Sequence, residues 1–270
     1  MRRALRLLRL LRVALHVAAG YAICALVYPC VATHARSALR RRWARGVLAI
    51  LGIRVLADDN LRVAPGSLVV ANHVSWLDAV VLNAVLDAAI VAKAETRRWP
   101  VLGAMLQAND TLFIERRVSR RLLAVNAAIG ERLGRGGVVI AFPEGTTTDG
   151  SDVLAFRPAL FQPAVAAGHP VHALALRYRD AAGRRCEEAA FVDDMSLWHS
   201  LRAVAGLPAL HAELRSCGAF CGPGLRRRDA ARRAWTVIRD RVHAGAGARE
   251  PLPIPVGSVA GWIASDASPS

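Results

Sequence analysis

From about Arg54 onward the chain alternates short apolar, β-branched runs with stretches of helical periodicity, and this restricts the fold more than any other feature. Candidate strands fall at residues 67–71, 90–93, 111–114, 137–142 and 170–178, and helical patterns at 79–88, 97–107, 119–134 and 158–167. Strands that each hand over to a helix cannot pair as hairpins, so the expected architecture is α/β: a single domain with a mixed or mostly parallel sheet flanked by helices. Residues 191–204 read as a further helix, 209–220 as an edge strand and 226–243 as a closing helix. No internal repeat is present. The whole chain, at 270 residues, suits one sizeable α/β domain with an appendage.

The appendage is N-terminal. Residues 1–57 hold eleven arginines and no acidic residue, a large share of the formal net charge of +15. Between the arginine clusters run twenty residues, 13–32, whose only ionisable groups are His16, Tyr21, Tyr28, Cys24 and Cys30. That length matches roughly 30 Å of hydrocarbon, which favours anionic lipid over nucleic acid as the basic segment's partner. Arg2, Arg6 and Arg9 repeat at helical spacing opposite Leu7, Leu8 and Leu11, as in an interfacial helix, and a second basic helix follows Pro29. Arginines on both sides remove the charge asymmetry that orients a span, so spanning and dipping into one leaflet are equally open. The expected division is a two-helix membrane anchor over residues 1–53, a catalytic domain over 54–243, and a disordered Gly/Ala/Pro/Ser-rich tail over 244–270. A cleaved secretory signal fits poorly, because the apolar stretch is long and no clean small-x-small site follows it. Five cysteines in no zinc-ligand spacing read as reduced thiols of a cytoplasmic protein.

Chemistry concentrates where strands end. In "VVANHVSWLDAVV", residues 69–81, Ser75 can cap a helix with Asp78 as its partner, a purely structural arrangement. His73 needs a separate account, since it sits on the connecting loop just beyond a strand's carboxyl end. Within one helix, five residues would turn two side chains about 140° apart. With His73 on the loop and Asp78 in the first helical turn, the carboxylate can instead reach one imidazole nitrogen and leave the other free as a general base. Two further strand ends carry "FIER", residues 113–116, and "FPEGTTTDG", residues 142–150. Neither is decisive alone, since Arg116 can be a solvated charge and Pro-Glu-Gly-Thr an ordinary turn. His16, His169, His172, His199 and His211 lie in apolar or helical contexts and read as packing or surface residues; Trp76 reads as a core or membrane-edge aromatic.

Taken together, "NHVSWLD" at 72–78, "FIER" at 113–116, "FPEGTTTDG" at 142–150 and "HPVHALAL" at 169–176 resemble the four ordered blocks of the glycerolipid acyltransferases, the bacterial 1-acyl-sn-glycerol-3-phosphate acyltransferases being nearest. The resemblance spans residues 68–178, and the arginine-flanked N-terminus is similar to that family's membrane anchor. It implies the glycerolipid acyltransferase fold and transfer of a fatty acyl group from acyl carrier protein or coenzyme A to a lysolipid hydroxyl. The substrate it implies first is 1-acyl-sn-glycerol 3-phosphate, converted to phosphatidic acid in phospholipid biosynthesis. It makes His73 the base and Asp78 its orienter, with no acyl-enzyme, no metal and no cofactor beyond the acyl-thioester co-substrate. Arg116 then holds the acceptor's phosphate, with Glu144, Gly145 and Thr146 on the acceptor side. A carboxylate repels phosphate, so Glu144 is expected to orient Arg116 or accept a glycerol hydroxyl. Backbone amides from Gly145 onward can add anion donors. The implied location is the cytoplasmic face of the inner membrane, among anionic lipids and without nucleic acid.

Two departures bear on the acceptor. The third block in the family often continues Glu-Gly-Thr-Arg-Ser, where this chain has Thr147 and Thr148, and the fourth lacks a second proline at Ala173. Family members that acylate lyso-ornithine lipid also lack that arginine, which makes this lipid the alternative acceptor. A thioesterase or lipid hydrolase would need an activated nucleophile, and no Gly-x-Ser-x-Gly elbow is present. A non-catalytic basic membrane-binding protein accounts for the charge but leaves the first and third blocks unexplained.

Overall fold

A computed structural model describes residues 2–59, 61–114, 119–192 and 194–244. The tail from residue 245, and Glu115 and Arg116, lie outside them.

Seven strands form one sheet: β1 (Ile53–Ala57), β2 (Leu68–Ala71), β3 (Ala88–Lys93), β4 (Leu112–Ile114), β5 (Val138–Ala141), β6 (Val171–Arg179) and β7 (Leu210–Phe220). Their order is β1-β7-β6-β2-β5-β3-β4. All neighbours are parallel except β6 and β7. The sheet is thus mixed and mostly parallel, as expected. Residues 209–220 do not form an edge strand, because β7 lies between β6 and the short β1, and β1 takes the edge. Arg54 interrupts the apolar run of β1 and hides it in the sequence.

Alternation within strands assigns the two faces. Val69 and Ala71 of β2, Ile140 of β5 and Leu174, Leu176 and Tyr178 of β6 pack against α2 (Thr33–Leu51), α3 (Leu77–Val85) and α7 (Leu197–Ala205). Leu68 and Val70, Val139 and Ala141, and Val171, Ala173 and Ala175 face α5 (Ser119–Gly134), α6 (Gln162–Ala166) and α8 (Arg227–His243). Helices on both faces bury β2 along its whole length and most of β3, β5 and β6, which explains their continuous apolar runs. α4 (Leu102–Ala108) packs by the sheet's β4 side against the N-terminal helix.

The two N-terminal helices pack differently. α1 (Arg2–Ala22) continues through a π turn and a 3₁₀ turn to Cys30, and the 28 residues from Arg3 are long and apolar enough to cross a membrane. Leu7, Leu11 and Leu15 form an exposed stripe along it. α2 is different: Ala44, Val47, Leu48 and Leu51 are buried in the domain's core. Its arginines turn inward too. Arg45 Nε donates to Ala84 O at 2.9 Å in the last turn of α3, and Arg40 meets Asp87 at 2.5 Å just beyond it. Arg9 of α1 donates to Leu207 O at 2.5 Å, at the end of α7. Cations at helix carboxyl ends satisfy terminal carbonyls and oppose the dipole, so these arginines are engaged within the fold. α1 and α2 cross closely where Gly20 meets the Trp43 ring and Gly46 the His16 ring; a Cβ at either glycine would lie under 3 Å from that ring. The crossing is locked reciprocally, Trp43 Nε1 donating to His16 O at 3.1 Å and His16 Nε2 lying 3.0 Å from Trp43 O.

Candidate active site

β2 stops at Ala71, but its pairing continues through a side chain. Asn72 donates from Nδ2 to Leu176 O at 2.9 Å and accepts from Leu176 N at 2.7 Å, so its amide stands in for one more peptide unit beside β6. This fixes the start of the loop that carries His73.

His73 Nδ1 lies 2.8 Å from Asp78 Oδ2. Asp78 is wholly buried and its carboxylate is saturated: Oδ2 also accepts from Val74 N at 2.7 Å and Ser75 N at 3.0 Å, and Oδ1 from Tyr178 Oη at 2.7 Å. With Asp78 as acceptor, the proton sits on Nδ1 and Nε2 is the free basic nitrogen. The imidazole stacks on Phe142 at 4.2 Å between centroids and 16° between planes, while its edge keeps some solvent access. Only half of the expected capping box forms. Asp78 reaches back to the Ser75 amide, but α3 starts at Leu77, and the buried Ser75 hydroxyl has no hydrogen-bond partner.

The loop after β5 grips the same backbone from the other side. Glu144 Oε1 accepts from His73 N at 2.6 Å and Oε2 from Leu154 N at 2.8 Å, while Thr148 N donates to His73 O at 2.8 Å. The buried Glu144 carboxylate is therefore spent on backbone amides, and it ties the third block to the first. Desolvation raises its pKa to about 7 against the two amide bonds that lower it. Gly145 has φ +76, a backbone geometry that favours glycine, and a Cβ there would lie 2.8 Å from Arg157 Nε. Thr146 is exposed beside it, and Thr147 donates its hydroxyl to Phe191 O. Phe191 N in turn bonds Val74 O at 2.9 Å, so a third loop braces the one that carries His73.

His73, Asp78, Glu144, Gly145 and Thr146 thus converge on one rim of the sheet. Arg116 lies outside the described residues. Sequence reasoning missed Tyr178 and Arg157. The signal for Tyr178 was its alternation with Leu174 and Leu176 in β6, which puts its hydroxyl on the α3 face. Burial and the Asp78 charge hold that phenol well above its ordinary pKa, so it remains a donor. Trp76 is a core aromatic, its Nε1 donating to Ser200 Oγ at 3.0 Å.

A sequence profile of the acyltransferase family matches residues 52–177. A 1-acyl-sn-glycerol-3-phosphate acyltransferase of Neisseria meningitidis serogroup B is 45% identical over 150 residues, 55% of this chain and 59% of that protein. A lyso-ornithine lipid O-acyltransferase of Pseudomonas aeruginosa is 34% identical over 239 residues, 88% of this chain and 91% of that protein. The chain belongs to the acyltransferase family. Against the Neisseria relatives it spans about three fifths of their length, 59% in each case. The acyltransferase fold is matched by the crystal structure of the 1-acyl-sn-glycerophosphate acyltransferase PlsC from Thermotoga maritima, with a TM-score of 0.67 over 90% of this chain and 96% of that one, at 18% identity. As an acyltransferase, the chain carries its His-Asp pair at the strand end where open α/β sheets bind ligands.

Proposed function

We propose that this acyltransferase moves a fatty acyl group from the thioester of acyl carrier protein or coenzyme A to the free hydroxyl of a lysolipid, at the cytoplasmic face of the inner membrane. The observation that carries the reading is the His73–Asp78 pair, with Nδ1 held and Nε2 free. An alcohol attacks a thioester poorly until its proton leaves. His73 Nε2 takes that proton as the hydroxyl oxygen bonds to the acyl carbon, and the buried Asp78 carboxylate stabilises the imidazolium that forms. When the tetrahedral adduct collapses, the carbon–sulfur bond breaks and the imidazolium returns its proton to the departing thiolate. The reaction thereby balances with no acyl-enzyme and no group beyond the thioester.

Lysophosphatidate is the acceptor favoured by the 45% identity to the Neisseria enzyme across the catalytic half. Lyso-ornithine lipid is the second reading, favoured by the match along nearly the whole Pseudomonas protein and by Thr147 in place of an arginine. Incubating membranes that contain the full chain with a panel of lysolipids and labelled acyl-thioesters tests both. Transfer should depend on His73; near-normal turnover by His73→Ala would remove the mechanism, and hydrolysis of the thioester without transfer would make the chain a thioesterase.

A further inference from the structure

One cation at the rim of this site has no anionic partner among the described residues. Arg157 follows the loop that begins at Pro143, and its own amide donates back to Pro143 O at 3.0 Å. This closure brings residue 157 over the Glu144–Gly145 peptide. Its guanidinium lies against Gly145, with Nε 2.8 Å and Cζ 3.2 Å from where a Cβ would stand. Glu144, the neighbour of Gly145, holds the amide of His73. The guanidinium is therefore one residue removed from the carboxylate that positions the base.

Its electrostatic surroundings are equally particular. Other cations around this loop are neutralised: Arg185 by Asp149 at 2.6 Å and Glu187 at 3.0 Å, Arg239 by Asp152 at 2.8 Å, and His243 by the same Asp152 at 3.1 Å. Arg157 is exposed, and its guanidinium has no hydrogen-bond or ion-pair partner among the described residues. Glu144, the carboxylate next to Gly145 in the chain, has both oxygens turned to backbone amides. Thr147, at the position where the third block of the family often carries an arginine, turns its hydroxyl to Phe191 O.

We infer that Arg157 binds the anionic headgroup of the acceptor, supplying from ten residues downstream the charge that position 147 lacks. This rests on the lysolipid reading given above. A guanidinium offers paired donors that fit either a phosphate or a carboxylate, so both lysophosphatidate and the carboxylate of lyso-ornithine lipid meet the requirement. Gly145 acquires a second reason to be glycine, because a side chain there would displace the guanidinium as well as strain the turn.

The test is steady-state kinetics of the full chain in mixed micelles with lysophosphatidate, lyso-ornithine lipid and the uncharged monoacylglycerol. Arg157→Gln keeps a polar side chain packed over Gly145 and removes the charge, and Arg157→Lys keeps the charge. Arg157→Gln should raise KM for the enzyme's anionic acceptor about ten- to a hundredfold, leave KM for the acyl-thioester within about twofold, and leave monoacylglycerol acylation unchanged. Arg157→Lys should recover part of the loss. Which lipid shows the larger effect tells whether phosphate or carboxylate is bound. Equal losses with charged and uncharged acceptors, or none, would overturn the assignment while leaving acyl transfer in place. Failure of the wild-type chain to acylate any of the three would overturn the lysolipid reading itself.

Discussion

Glu144 gives the chain a pH dependence whose size follows from its environment. Burial raises its pKa from 4.5 to about 7. Between those values the folded protein keeps a proton that the unfolded chain has released, so the folded state binds more protons and stability falls as pH rises. The contribution is fully present below pH 4.5 and is lost once pH passes 7. Each pKa unit corresponds to about 1.4 kcal/mol, so the total is about 3 kcal/mol, with the steepest loss near pH 6. Asp149 and Asp152, whose pKa values are lowered to about 2 by hydrogen bonds to Ser151 and to Arg239, titrate below this window. His172 lies inside it with the opposite sign, since burial lowers its pKa and the unfolded chain takes up the proton first. Comparison with Glu144→Gln cancels His172 and isolates the carboxyl. Urea unfolding of the detergent-solubilised protein from pH 4.5 to 7.5 should show the wild type losing about 3 kcal/mol relative to Glu144→Gln across that range. The variant should also be offset by about 1–3 kcal/mol, because its amide NH₂ must face one of the two backbone amides now held by the carboxylate. A difference between the two proteins that stays constant with pH would refute the assignment of that proton to Glu144.

His73→Ala should lower kcat by about 10²- to 10⁴-fold with little change in melting temperature, read by thioester turnover and thermal unfolding together. Asp78→Asn should damage both, since the amide NH₂ either opposes a donor at Oδ2 or turns the Tyr178 hydroxyl into an acceptor and leaves its buried proton without a partner; an unchanged melting temperature would contradict that geometry. Tyr178→Phe should cost about 1.5–3 kcal/mol, a fall of roughly 3–12 °C for a domain of this size, because Asp78 Oδ1 loses its hydroxyl donor. Deleting residues 1–31 should move the protein out of the membrane fraction in folded form, whereas deleting 1–53 should abolish folding, because α2 carries Ala44, Val47, Leu48 and Leu51 into the core; soluble, cooperative unfolding of the longer deletion would refute it.

The parts of the site legible in the sequence were those whose partners lie nearby along the chain. His73 and Asp78 are five residues apart, and the loop-then-helix spacing alone brings their side chains together. Tyr178 reaches the same carboxylate from a hundred residues away, through the pairing of β6 with β2, and no local pattern announces strand order. Glu144 was expected toward the acceptor through the family resemblance; its two amide bonds depend on how the β2 and β5 loops face one another. The α/β class followed from periodicity. The contacts of the second basic helix did not, because an arginine-rich helix reads alike whether its cations meet phosphates or, as with Arg40 and Arg45, the carboxyl end of α3. β1 went unread because five residues interrupted by a charge carry too little alternation.

The locked crossing of α1 and α2 makes the apolar helix a strut and not a tether. From Arg9 to Gly20, about 17 Å of helix at 1.5 Å per residue, α1 is fastened to α7 through Leu207 and to α2 through His16 and Trp43. A domain held in this way cannot swing on a linker, so the height of His73 above the apolar stripe is a fixed dimension of the molecule. Lengthening the turn between the two helices would not change that height. Loosening the His16–Trp43 crossing would, and His73 would then stand at a different distance from the stripe.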